Sequence, residues 1–217
     1  MCDGVNKRTD EYGGSIQNRL RAMHEVVQAV IDVYGNDRVA IRLSPFYKDS
    51  QTYYGCTDSN PELLFQEAVK SLDKYKLAYL LLSEPRWTGG AANNDPRNDP
   101  GFIQPIRNGW AREIYSSKII GAGGFTPKTA QEAIEKGVYD AVAFGRWFIS
   151  NPDLPERLRK GAPLNVYDRK SFYLYEDVKG YVDYPFLDAK ANPNGAAYPL
   201  MDQKDIGQSL GSAPSKL

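Results

Sequence analysis

The sequence predicts an α/β fold built on parallel strands, and three features predict it. First, short apolar runs alternate with amphipathic segments of helical period, the pattern of parallel strands joined by right-handed crossovers. Second, the runs at 118–122 and 141–144 are too short for helices and stop abruptly at glycine, as a buried parallel strand does at a tight turn. Third, the stretch 119–149, which opens I-I-G-A-G-G-F-T-P and closes A-V-A-F-G-R-W-F-I, uses one device twice: an apolar run that ends in a glycine turn. Four strands are predicted along the chain. That number suits a small open sheet or half of an eight-stranded β/α barrel, a fold that typically takes about 250 residues.

Taken in order, residues 1–14 are polar and turn-rich. Ser15 is placed to cap a helix with Leu20, Met23, Val27, Val30 and Ile31 on its apolar face, and Gly35 to end it. His24 falls inside that helix and reads as a partly exposed histidine with nothing nearby to orient it as a base. Residues 39–45 read as a strand that Arg42 interrupts near its end. A charge there is costly unless it is paired or touches a ligand. In a parallel α/β fold that end of a strand faces the active site. A salt-bridged arginine and a ligand-binding one remain equal alternatives.

A polar, aromatic loop at 46–60 leads to Pro61, which opens a helix with Leu64, Ala68 and Leu72 on its face. Residues 78–82 are the second strand. The segment that leaves it, up to Pro100, is rich in Gly, Asn, Asp and Pro, the composition of a lid or binding loop. A helix is predicted over about 103–116, and after the glycine-rich stretch a short helix stops at Gly161. From Ala162 no clear period is visible, and the final ten or so residues are expected to fray.

The two glycine turns carry the chemistry. Gly123 and Gly124 let backbone N–H groups approach a ligand closely, and Thr126-Pro127 then starts a helix. The second turn offers Gly145 and Arg146, one bare backbone and one fixed positive charge. Two neighbouring strand ends of this kind can form a phosphate site. Two ordinary β-turns with a surface arginine are the alternative that spacing alone leaves open.

Composition narrows the function classes. Lys+Arg 27 balances Asp+Glu 27, so no net basic field draws the chain to nucleic acid or an anionic membrane. No apolar run approaches the roughly 20 residues of a spanning helix, and the polar start Met1-Cys2-Asp3-Gly4 shows no secretory signal. Cys2 and Cys56 match no metal or redox spacing, which predicts a reduced, cytoplasmic protein. A single histidine excludes a multi-histidine metal site, and no metal is expected.

Several segments together resemble a known family. N-K-R-T-D-E-Y-G-G-S-I-Q-N-R (6–19), I-R-L-S-P (41–45), G-A-G-G-F-T (121–126), F-G-R-W-F-I-S-N-P-D-L (144–154) and P-L-N-V-Y-D-R-K-S-F-Y (163–173) are similar, in this order, to segments of the old yellow enzyme family. G-Y-V-D-Y-P-F (180–186) resembles its 12-oxophytodienoate reductase branch. The resemblance implies the C-terminal half of a (β/α)8 TIM barrel over 1–188, followed by a polar tail over 189–217. It implies FMN as cofactor, NADPH or NADH as hydride donor, and α,β-unsaturated carbonyls as substrates.

By motif, the resemblance assigns Arg42 to the flavin pyrimidine edge, where a cation stabilises the anionic reduced ring. It assigns Ala122, Gly123, Gly124, Gly145 and Arg146 to the FMN phosphate region, Phe172 to the dimethylbenzene end and Tyr173 to the substrate pocket. The loop at 84–100 would cap the substrate. In the family, the pair that grips the substrate carbonyl and the tyrosine that donates the proton lie just ahead of the first of these motifs. Neither His24 nor the tyrosines of 51–55 match them, so no catalytic residue is expected in this chain. The resemblance leaves open an ene-reductase and a non-catalytic chain with residual FMN affinity; outside the family, a different small α/β phosphate-binding protein with a flavodoxin-like sheet is the third alternative. An open half-barrel would also leave edges and an apolar face through which copies of the chain could associate.

Overall fold

The structure is a computed structural model that describes residues 1–45, 56–86, 105–174, 178–188 and 199–206. The chain forms two compact units. The first comprises Met1–Pro85, Pro105–Gly123 and Glu132–Ala143; the second comprises Arg86–Gln104, Gly124–Gln131 and Phe144–Leu217.

The first unit is organised on a four-stranded parallel sheet: β1 (Ala40–Leu43), β2 (Tyr79–Ser83), β3 (Ile119–Ala122) and β4 (Ala141–Ala143). The strands lie side by side in chain order, β1-β2-β3-β4. A flavodoxin-like sheet reverses its order near the first strand, so that alternative is excluded. The arrangement is that of roughly half of a (β/α)8 barrel. β2, β3 and β4 sit within one residue of their predicted positions, while β1 stops at Leu43, two residues short of the predicted end at Pro45.

Alternation along the strands divides the sheet into two faces. Leu43, Leu80, Leu82 and Ile119 lie on one face and are buried. On the other face Ala40, Arg42, Tyr79 and Ala141 are exposed, and Leu81, Ser83, Ile120, Ala122 and Ala143 are only partly covered.

Helix α1 (Ile16–Tyr34) begins at Ser15, whose hydroxyl accepts the Asn18 N–H, and ends at Gly35 with φ 81°. Leu20 and Val27 are buried as expected, but Val30 is exposed, in line with Val26 and Val33 one turn to either side. Arg19 is buried with Asp58, and its guanidinium also donates to the Met1 carbonyl at 2.7 Å, which ties the polar N-terminal segment to the start of the next helix. That helix, α2 (Pro61–Leu72), has Asn60 as N-cap and buries Leu64, Phe65, Ala68, Val69 and Leu72. His24 is half-buried with Nδ1 3.1 Å from the Tyr75 hydroxyl. Burial first, then the nearby Lys74 charge, hold its pKa below the ordinary value.

The helix predicted over about 103–116 is one turn, α3 (Ala111–Ile114); residues 101–104 lie outside the described ones. Pro105 supplies no N–H for a helical bond, and the N–H groups of Arg107 and Asn108 are spent on a side chain instead.

Helix α4 (Pro127–Glu135) opens at Thr126, as predicted. The Thr126 hydroxyl accepts the Thr129 N–H at 3.1 Å while the Thr129 hydroxyl accepts the Thr126 N–H at 2.9 Å, a reciprocal cap.

The second unit contains α5 (Arg146–Ser150), α6 (Leu154–Lys160) and a two-stranded antiparallel sheet of β5 (Leu164–Asn165) and β6 (Leu200–Met201). Gly161 ends α6 in the left-handed conformation. The core is Trp147, Leu154, Leu164, Tyr167, Met201 and Ile206. Arg157 is buried, with its Nε on Asp153 at 2.7 Å and its two terminal nitrogens on the carbonyls of Pro163 and Pro185. Of the tail expected over 189–217, only 199–206 are described, and they supply β6 and the buried Met201 and Ile206. The last residues, expected to fray, and most of the predicted lid lie outside the described residues, as do the tyrosines of 51–55.

Candidate functional site

The strand ends of the first unit hold three of the predicted site residues. β1, β2 and β3 are in register so that Arg42 lies beside Leu81, and Ser83 beside Ala122. The Arg42 guanidinium reaches one step along the sheet and donates from Nε to the Ser83 hydroxyl at 2.9 Å. Arg42 is exposed, not buried as its place in an apolar strand suggested, because it stands on the uncovered face of an edge strand. Among the described residues it has no carboxylate partner. Ser83 is not among the residues the sequence singles out; its place directly after the second apolar run is the available signal.

Ala122 ends β3, and Gly123 and Gly124 follow with φ of 102° and 62°. Side chains rarely adopt such values, which is the physical reason for the glycine pair. At Gly123 a β-carbon would also meet the Glu84 carbonyl oxygen at 3.0 Å. Neither the Gly123 nor the Gly124 N–H donates a hydrogen bond among the described residues. Two adjacent idle donors at the C-terminal end of a parallel strand are what an anion needs.

Glu84, which directly follows β2, is buried against this turn at 3% exposure. Its N–H donates to the Ala122 carbonyl at 2.7 Å. Its carboxylate accepts the Arg107 N–H at 2.7 Å, the Asn108 N–H at 3.3 Å and the Tyr139 hydroxyl. The sequence places Glu84 at the start of the 84–100 loop, where a carboxylate is expected to face solvent; it is buried instead because backbone N–H groups 23 and 24 residues further on hold it.

In the second unit, Arg146 and Phe172 meet through Tyr167. The Arg146 guanidinium lies over the Tyr167 ring at 5.5 Å and donates to its hydroxyl at 3.1 Å. Phe172 packs on the same ring at 5.7 Å, and Trp147 meets it edge-on at 5.1 Å. Gly145 precedes α5, and a β-carbon there would meet nothing within 4 Å. Its φ of −91° needs no glycine, so any requirement for a bare backbone there comes from a ligand. Tyr173 is 84% exposed, beside Phe172. A cavity of about 240 Å³ between Phe148, Ile149, Pro152, Tyr181, Val182 and Phe186 contains none of these residues.

Parallel strands in chain order, separated by helices, with idle backbone donors at a strand-end turn, define a β/α protein of the barrel class. Comparison with known proteins is consistent with that. The chain belongs to the NADH:flavin oxidoreductase / NADH oxidase family, whose model matches residues 1–165. It is 46% identical over 192 residues to 12-oxophytodienoate reductase 2 of Arabidopsis thaliana, covering 88% of this chain and 48% of that protein. It is 42% identical over 192 residues to 12-oxophytodienoate reductase 7 of Oryza sativa subsp. japonica, covering 86% of this chain and 48% of the relative. Among solved structures, morphinone reductase in complex with tetrahydroNAD is similar with a TM-score of 0.70 and 41% identity, over 88% of this chain and 47% of that one. An old yellow enzyme homologue from Zymomonas mobilis is similar with a TM-score of 0.72 and 34% identity, over 86% of this chain and 49% of that one. The chain thus spans about half the length of the relatives it matches. No described helix is long and apolar enough to cross a membrane.

Proposed function

We propose that this chain is the FMN-binding, C-terminal part of an oxidoreductase of the ene-reductase type. The observation that carries this reading is the pair of idle N–H donors at Gly123 and Gly124, held at positive φ at the end of β3 in a chain of the flavin oxidoreductase family. When bound, FMN supplies a carrier that accepts hydride from NADPH or NADH and delivers it to the β-carbon of an α,β-unsaturated carbonyl compound. Ala122, Gly123 and Gly124 would offer a phosphate backbone donors, and Gly145 and Arg146 would offer one a bare backbone and a fixed cation. Arg42 would place a positive charge against the pyrimidine edge; it is exposed and has no carboxylate partner among the described residues, which supports that role. Phe172 would pack against the dimethylbenzene end, and the exposed Tyr173 would line the enone pocket.

The donor set fits a phosphate, while no residue of this chain is assigned to grip the substrate carbonyl or to donate the proton. The half-length match to the relatives favours a second reading of the isolated chain, in which it binds cofactor without turnover. Both readings are tested by one preparation. The chain is mixed with FMN, desalted and examined for a flavin absorption spectrum; retained flavin is expected, and none would overturn autonomous cofactor binding. NADPH- or NADH-dependent reduction of a simple enone by the same sample would overturn the second reading.

A further inference from the structure

The first unit contains a buried charge that the proposed chemistry does not use. Glu84 is 3% exposed, yet no cationic side chain is among the partners described for its carboxylate. That carboxylate is held instead by two consecutive backbone N–H groups and a phenol. Hydrogen bonds to an ionised acceptor are about twice as strong as neutral ones, so this is a rigid arrangement. Its parts have distinct destinations. Arg107 and Asn108 are where the chain re-enters the first unit after the segment that leaves it at Pro85. Asn108 returns the contact by donating from Nδ2 to the Ser83 carbonyl at 3.1 Å. Tyr139 immediately precedes the Asp140–β4 junction and lies across β3 at Gly121. The Glu84 backbone, finally, grips the Ala122–Gly123 turn from the side, with its N–H on the Ala122 carbonyl and its own carbonyl 3.0 Å from where a Gly123 β-carbon would stand.

We infer that Glu84 is a positioning residue for the Ala122–Gly123 turn. Its carboxylate anchors the Glu84 backbone to Arg107, Asn108 and Tyr139, and that backbone fixes the direction in which the idle glycine N–H groups point. It touches no bound group itself. The inference rests on the reading of this turn as the phosphate end of an FMN site. A donor pair that is pre-aimed loses little freedom when an anion arrives, whereas one left to swing must be ordered at the expense of affinity.

The test uses the whole chain and compares FMN with riboflavin, which has the same ring system and no phosphate. In Glu84→Gln, which keeps the shape of the side chain but replaces one acceptor oxygen by a donor, FMN affinity falls about tenfold while riboflavin affinity stays within about twofold. Tyr139→Phe moves the same ratio in the same direction by a smaller factor. A residue that only stabilised the fold would weaken both flavins alike, and that result overturns the inference. A second readout needs no flavin: the ¹⁵N order parameters of Gly123 and Gly124 fall in Glu84→Gln, while those of the β2 amides stay high. Unchanged glycine order parameters overturn the inference as well. A wild-type chain that binds neither flavin sinks the proposed function, and the order parameters then decide the role of Glu84 alone.

Discussion

The Tyr139 ring packs against Gly121, so close that a β-carbon built on the glycine would stand 2.5 Å from two ring carbons. Both residues are buried, and the tyrosine hydroxyl goes on to donate to Glu84. The glycine in the middle of β3 therefore serves a close approach and not a turn. Gly121→Ala forces a rigid ring or the strand to shift, and overpacking of this kind costs about 1–3 kcal/mol. Denaturant unfolding of the variant should show that loss. The same substitution in a Tyr139→Leu background should cost distinctly less, because the two sites share one contact. Additive losses would show that the ring is not what excludes the methyl group.

Gly121 also shows what sequence could and could not say. The strand was legible, since I-I-G-A has the length and the glycine ending of a buried parallel run, and the Gly123-Gly124 pair was legible because its positive φ values are a local property. The role of Gly121 depends on a tyrosine 18 residues away, and that of Glu84 on backbone groups more than 20 residues away; no local pattern encodes either. The predicted helix at 103–116 failed for the same reason. Its period was helical enough, but Glu84 drew off the N–H groups of its first part. Arg42 was placed at the right end of the right strand, and only its exposure was misjudged, because burial depends on which strand lies at the edge.

Arg42 separates stability from binding. The side chain is exposed and its only described hydrogen bond is to a hydroxyl, so Arg42→Ala should change the unfolding free energy by less than about 0.5 kcal/mol. Flavin retention should fall clearly in the same variant, and Arg42→Lys should restore part of it by supplying a charge without the planar fork. A large stability loss, or flavin retention equal to wild type, would contradict the assignment.

Asp140 gives the fold an acid limit. Burial alone would raise its pKa, but hydrogen bonds from Lys118, the Ile119 N–H and Arg112 outweigh burial and bring it to about 2, against an ordinary 3.8. A depressed carboxylate stabilises the folded chain above the unfolded pKa and ceases to do so as pH falls through the folded one. The contribution is therefore complete above about pH 4 and disappears by about pH 2, and solvent around this partly exposed cluster keeps it to about 1 kcal/mol. Unfolding free energies measured from pH 5 to 2 should fall less steeply in Asp140→Asn than in wild type. Parallel curves would remove Asp140 from the account.

The two ends of the sheet should make the chain self-associate. Among the described residues, β1 pairs only with β2, and β4 only with β3. Each therefore presents a row of N–H and C=O groups to whatever is beside it, and such rows invite pairing with another chain. Tyr79, Ala40 and Ala141 are exposed on the face between them, and the partly covered Leu81 and Ile120 make that face apolar. A net charge of +0 supplies no long-range repulsion to keep copies apart. The isolated chain should thus scatter light as a species heavier than its 24.3 kDa, increasingly so with concentration. Lysines at the edges, Ala40→Lys and Ala141→Lys together, should lower the apparent mass without unfolding the sheet, since both positions are exposed and edge charges block pairing. A wild-type chain that remains a monomer with one cooperative unfolding transition would show that these edges are not adhesive.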